Sequence, residues 1–238
     1  PLQSLSNIEN LYLQSNRISD LSPLGKLPNL SHLWIMWNTV SDLSSLENLS
    51  SLRTLEAFGN QLTSVASLVR LSGLRYVSLH ENDIHDVSLL ASLPNLETLS
   101  FSPRQNSELA MLTTFPNLTG VWMTGDKLTD ISPLANLTDL TSLILENCPV
   151  ADLSAVASRS NLERLGLIST QVSDLSPLLQ LRNMTALRLS DNPLDVEVYC
   201  RQLPSIEAQN PGLSLWITDP YPYPVACDEA IPFAEADL

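Results

Sequence analysis

The sequence predicts an α/β solenoid, a coil whose turns each add one short strand to a single parallel sheet and return through a short helical or looped segment. Three observations predict it. An apolar residue recurs nine times at a fixed spacing of 22, without insertion or deletion: Leu11, Leu33, Leu55, Val77, Leu99, Val121, Leu143, Leu165 and Leu187. A second apolar residue follows each by two places, from Leu13 and Ile35 through Phe101 and Met123 to Leu189. Columns of Asn and Asp keep the same phase. A unit this short cannot bury its own apolar face, so neighbouring units must stack. Stacked repeats build a long binding surface more readily than an enclosed catalytic pocket.

Each position of the unit, taken over Leu11 to Leu30, has a physical task. Leu11 and Leu13 form the inward face of a strand, because side chains there alternate with a period of two. Asn16, matched by Asn38, Asn60, Asn82 and Asn192, stands where the chain leaves the strand. Its amide is suited to satisfy backbone groups of its own turn and of the neighbouring one. Ile18, Val40, Leu62, Ile84, Leu128, Val150 and Val172 return to the core. An acidic residue then precedes the helical turn at Asp20, Asp42, Asp86, Asp130, Asp152 and Asp174, with Ser64 and Glu108 standing in. It reads as a cap, and Pro follows where its missing N–H does no harm. Leu24, Leu27 and Leu30 pack the back of the coil. One unit departs from the pattern: residues 99–112 place Arg104 in the Asn column and Asn106 in an aliphatic one. Local irregularity is one reading of it, and a contact loop shaped by Pro103 and Arg104 is the other. The next three units carry Asp126, Cys148 and Thr170 in the Asn column.

These motifs resemble the leucine-rich repeat family. The 22-residue unit and the D-L-S-P-L segment at Asp20 to Leu24, repeated in part at Asp130 to Leu134 and Asp174 to Leu178, are similar to its internalin and SDS22-like subgroup. The resemblance covers residues 1 to about 216. It implies a right-handed horseshoe with the parallel sheet on the concave face, short 3₁₀ or loop segments on the convex face, and a protein partner. For bacterial members it implies display at the cell surface or secretion.

The ends define three regions: repeats over 1–194, a C-terminal cap over 195–218 and a Pro-rich acidic tail or linker over 219–238. Pro1, Leu2 and Leu5 match the second half of a unit, so the first unit is truncated and the chain is expected to be a fragment of a longer one. In the cap, Asp195 to Gln209 reads as a helix with Asp195 as N-cap and Pro204 as an interruption, followed by a strand from Leu213 to Ile217. The segment from Asn192 to Leu215 resembles C-terminal caps of bacterial leucine-rich repeat proteins. Cys148 reads as a buried free thiol, whereas Cys200 and Cys227 are candidates for a disulfide pinning the tail to the cap helix. If both stay reduced, a cytosolic SDS22-like adaptor is favoured instead. Five N-x-S/T sequons, at Asn29, Asn48, Asn117, Asn136 and Asn183, arise from the repeat consensus itself.

Composition narrows the partner. With 26 acidic against 12 basic side chains, net charge −14, the chain lacks the clustered cations that phosphate backbones demand. Nucleic acid and anionic membrane are therefore poor partners, and no apolar run is long enough to insert into a bilayer. No cofactor motif appears: His32, His80 and His85 fit no metal-ligand spacing, and there is no nucleophilic triad or phosphate cradle. The expected activity is recognition without catalysis.

Repeat phase maps the surface that would bind. Strand residues flanking the apolar pair point away from the core. They gather Tyr12, Trp34, Met36, Trp37 and Phe58 into one cluster, edged by His80 and Tyr76, with Trp122, Ile144 and Ile168 as a second patch. Trp34, Met36, Trp37 and Phe58 are expected to be exposed and to form the largest apolar patch of the concave face. A protein or peptide is the expected partner. A glycan, held by aromatic faces beside Glu56, His80 and Glu81, is one alternative, and assembly of the units into a surface layer is another.

Overall fold

The computed structural model describes residues 7–217 and Cys227. The matches of Pro1, Leu2 and Leu5 to a half-unit, and the acidic tail apart from Cys227, lie outside the described residues. Ten strands form one parallel sheet in chain order: β1 (Asn10–Tyr12), β2 (His32–Trp34), β3 (Thr54–Glu56), β4 (Tyr76–Ser78), β5 (Thr98–Phe101), β6 (Gly120–Thr124), β7 (Ser142–Glu146), β8 (Arg164–Ile168), β9 (Ala186–Arg188) and β10 (Ser214–Trp216). Leu11 pairs with Leu33, Leu33 with Leu55, and so on to Leu165 with Leu187, so the register repeats the sequence period. The returns are 3₁₀ turns, such as Ser22–Lys26 and Ser132–Asn136, and α1 (Leu203–Gln209) is the one α-helix among the described residues.

A single apolar core runs the length of the coil. Both inward columns are buried from Leu33 and Ile35 to Leu187 and Leu189, whereas Leu11 and Leu13 on β1 are only half-buried. The Asn column sews the turns together. Asn60 accepts from Val40 N–H through Oδ1 (3.0 Å) and donates through Nδ2 to Ile35 O (2.9 Å) and Ala57 O (3.0 Å). Asn38 and Asn82 repeat the arrangement, accepting from Ile18 N–H and Leu62 N–H at 2.9 Å each. The ladder breaks at the irregular unit. Arg104 instead pairs with Asp83, and Asp126 turns out to an ion pair with Lys127. Asn106 replaces the missing link by accepting from Thr129 N–H (3.0 Å) and Asp130 N–H (3.3 Å) of the next turn.

The acidic column caps as its position implies, one residue ahead of the formal cap. Asp20, Asp42, Asp86, Asp130, Asp152 and Asp174 each accept the backbone N–H two residues on, at 2.7–2.8 Å. Hydrogen bonds from Ser22, Ser44, Ser88 and Ser176 hold the carboxyls of Asp20, Asp42, Asp86 and Asp174 below the usual carboxylate range. Glu108 behaves differently, reaching back to Arg104 N–H (3.1 Å). A second Asn ladder escaped the sequence reading. Asn95, Asn117, Asn161 and Asn183 donate across turns to Ser72 O, Pro94 O, Thr138 O and Ser160 O. Two of the sequon asparagines therefore have a structural task.

The cap corrects one expectation. Pro204 does not interrupt the helix. The turn before it, Val198–Gln202, widens to π geometry, with Leu203 N–H donating to Val198 O, and the chain stays helical through a residue that lacks an N–H. Asp195 Oδ1 accepts from Val198 N–H at 3.0 Å, the bond of an N-cap. A disulfide joins Cys200 to Cys227 with 5.4 Å between Cα atoms, while Cys148 is a buried free thiol.

Asn60→Ala strands Val40 N–H and takes from Ile35 O and Ala57 O one of their two amide donors, and should cost about 2 kcal/mol or more by urea unfolding. Asn95→Ala, whose single bond is at an exposed position, should cost less than about 1.5 kcal/mol. Equal losses would show that the first ladder does not carry the stack.

Candidate functional site

Neighbouring parallel strands lie about 4.8 Å apart, close to the spacing of stacked rings, and the aromatic columns of the sheet's outer face make use of it. Tyr12 lies on Trp34 with centroids 4.2 Å apart and planes 10° from parallel, and His32 flanks Trp34 at 5.8 Å. Trp37 meets Phe58 edge-on at 5.5 Å, Phe58 stacks on His80 at 4.3 Å, and His80 on Trp122 at 4.9 Å. The two expected patches are thus one: His80 links Phe58 to Trp122.

This packing corrects the expected exposures. Tyr12 (61 %) and Trp37 (50 %) are exposed, but Trp34, Met36, Phe58 and Trp122 are half-buried because their neighbours cover them. His80, expected at the rim, is buried at 4 %. The small Ser78 and Ser100 beside it leave room for the ring to lie down, with Nδ1 2.6 Å from Ser100 Oγ and 3.2 Å from Ser78 Oγ. Burial pushes its pKa down to about 4, so the imidazole is neutral at physiological pH and supplies packing rather than charge.

Trp37 is held under strain. Its φ of 57° lies in the left-handed region, where a bulky side chain is an outlier costing about 1–2 kcal/mol. Ser15, Glu81, Asn147, Ser169 and Asp191 in the same column share the geometry (φ 51–57°), and the next turn uses Gly59 (φ 63°). A Cβ on Gly59 would come within 2.6 Å of the Trp37 ring, so Gly59 both relieves its own backbone and makes room for the indole. Trp122 adds a second cost, since its indole Nε1 is buried with no hydrogen-bond partner among the described residues. Trp34 Nε1, by contrast, donates to Glu56 Oε1 at 3.1 Å.

Charge is divided along the face. Glu56, Glu81 and Glu146 accompany the aromatic row, and burial followed by repulsion from Glu146 raises the Glu81 carboxyl above its usual value. Arg164 and Arg188 stand on β8 and β9, beyond that row. The sequence reading missed these two arginines as a pair, although both fall on outward positions.

Comparison with known proteins agrees with this architecture. The family profile for leucine-rich repeats (two copies) matches residues 6–48. The solved internalin C2 (inlC2) of Listeria monocytogenes is similar at 32 % identity over 81 % of this chain and 84 % of its own, with a TM-score of 0.64. The chain belongs to the leucine-rich repeat family. Another internalin (inlF) from Listeria monocytogenes aligns at 27 % identity over 93 % of this leucine-rich repeat chain and 76 % of its own, with a TM-score of 0.62. A leucine-rich repeat protein from Leptospira interrogans shares the fold at 21 % identity over 90 % and 56 % of the two chains (TM-score 0.64). No curated protein matches the sequence. Leucine-rich repeat proteins are in general protein-binding modules and are typically non-enzymatic. No helix among the described residues is long and apolar enough to cross a membrane.

The buried His80 makes a pH prediction. A base whose folded pKa lies below its ordinary 6.5 contributes stability that is complete above 6.5 and is lost as pH falls from there toward about 4. His80→Phe keeps the ring stack and removes the proton site, so its unfolding free energy should fall less steeply across that window. Parallel curves for the two proteins would place the titration elsewhere.

Proposed function

We propose that the chain is a non-catalytic recognition module whose concave sheet face binds a protein or peptide, with Tyr12, Trp34, Met36, Trp37, Phe58 and Trp122 as the apolar contact and His80 as the buried support that aligns Phe58 with Trp122. The observation that carries the reading is Trp37: half exposed, outside the core, and kept in a backbone conformation that costs stability. The repeat corner imposes the left-handed backbone on every such turn, but a bulky ring there, where the next turn has Gly59, is a cost the core does not need, and large aromatic anchors dominate protein interfaces. The same stacking argues for a protein over a glycan. Sugar rings need an open aromatic face, whereas Trp34 stacks with Tyr12 and His32, and Phe58, His80 and Trp122 stack on one another. The internalin likeness and the Cys200–Cys227 disulfide support a bacterial secreted or surface setting.

The test is a pair of measurements on ligands selected from a displayed peptide library. Trp37→Gly removes the ring and suits the left-handed backbone, so unfolding free energy should change by no more than about 1 kcal/mol in either direction. Binding should weaken by about 2 kcal/mol or more. Intact binding with lost stability would make the ring row a structural element.

A further inference from the structure

We propose that the C-terminal half of the same face holds a second recognition element, a groove that takes acidic side chains of an extended partner segment. The inference rests on the concave face being the recognition surface, and it adds the chemistry of the segment that lies there. The groove, about 230 Å³, is walled by Ile144 and Trp216, floored by Gly166 and Ala186, and carries Arg164 and Arg188. The sheet register explains the opening. Arg164 pairs across the ladder with Ala186, and Gly166 with Arg188, so each arginine faces a residue too small to fill the space beside it. On the other side, a Cβ on Gly166 would sit 3.2 Å from Ile144 Cγ2, so the glycine brings the floor down against that wall.

Charge complementarity selects the occupant. The chain has 26 acidic residues for 12 basic ones, so an arginine has ample choice of carboxylates. Arg75 and Arg104 take them, from Glu97 and Asp83. Arg164 and Arg188, like most of the arginines, form no ion pair among the described residues; what sets them apart is that both are exposed beside this groove and that Arg188 lies over the Trp216 ring, 5.1 Å from its centroid. That contact fixes a planar donor fork beside the groove. Guanidinium groups match carboxylates in geometry as well as charge. Two arginines in a chain of net charge −14 are too few to hold a phosphate backbone. The groove continues past Ile144 over Gly120 toward Tyr76. From Tyr76 on β4 to Trp216 on β10, strand spacing gives about 29 Å, which an extended segment of roughly nine residues spans.

The probe is an acetylated, amidated nonapeptide with two Glu, two residues apart, in a Leu/Ser background, with its Glu-to-Gln twin as control. Binding is read by fluorescence anisotropy at 0.15 M salt, where screening over about 8 Å suppresses the general repulsion between like-charged molecules. The Glu peptide should bind at least tenfold more tightly than the Gln peptide. That advantage should disappear in Arg164→Gln/Arg188→Gln, whose exposed positions leave folding intact by circular dichroism. Equal affinity for the two peptides, an advantage that survives in the double variant, or no binding of either peptide would each overturn the proposal. None of these results bears on the loss expected from Trp37→Gly, so this groove and the aromatic site fail or stand separately.

Discussion

The structure depends on satisfying backbone groups where the chain leaves each strand. At that corner the peptide turns through the left-handed region, and N–H and C=O groups of two successive turns face inward with no strand partner. A primary amide has the two donors and the acceptor that the corner needs, and Asn38, Asn60 and Asn82 supply them. The bonds reach residues 20 and 25 positions back, so an inserted or deleted residue between strand and corner would misplace the partners of that turn. The invariant 22-residue spacing is therefore a hydrogen-bonding requirement as much as an apolar one.

A frame specified in this way leaves the outer face free. Inward columns are almost uniformly Leu, Val or Ile, while outward columns run from Tyr12 and Trp34 through Ser78 and Ser100 to Gly166 and Arg188. Trp37 in a left-handed conformation and the indole N–H of Trp122, unpaired among the described residues, both sit on this free face, where they take stability away and add nothing to the core. The N-terminal part combines rings with carboxylates, and the C-terminal part combines small residues with arginines. A partner lying along the sheet would meet both in sequence.

Strand phase, core columns, Asn corners and Asp caps were legible because each is a single residue type at a fixed offset, enforced by a local bond. Exposure was not. Repeat phase shows that Phe58 and His80 point outward, but burial follows from what stands on adjacent strands, and Ser78 and Ser100 are what let His80 lie flat. The second Asn ladder was hidden because Asn117 and Asn183 read equally well as products of the consensus. Arg104 and Asp126 were visible as anomalies, but the rescue by Asn106 depends on a reach into the next turn that sequence spacing does not display. Pro204 reads as a helix breaker from its chemistry alone, and only the widened turn before it shows how the helix survives.

The measurement that bears most directly on this account is residue-resolved amide hydrogen exchange. If the Asn corners hold the stack, Val40 and Leu62, whose N–H groups donate to Asn60 and Asn82 side chains, should be protected as strongly as the central strand amides. Leu128, where the ladder is interrupted and the N–H reaches only Gly125 O at 3.3 Å, should exchange faster. Val40 and Leu62 exchanging as freely as exposed loop amides, with the strands still protected, would contradict the claim.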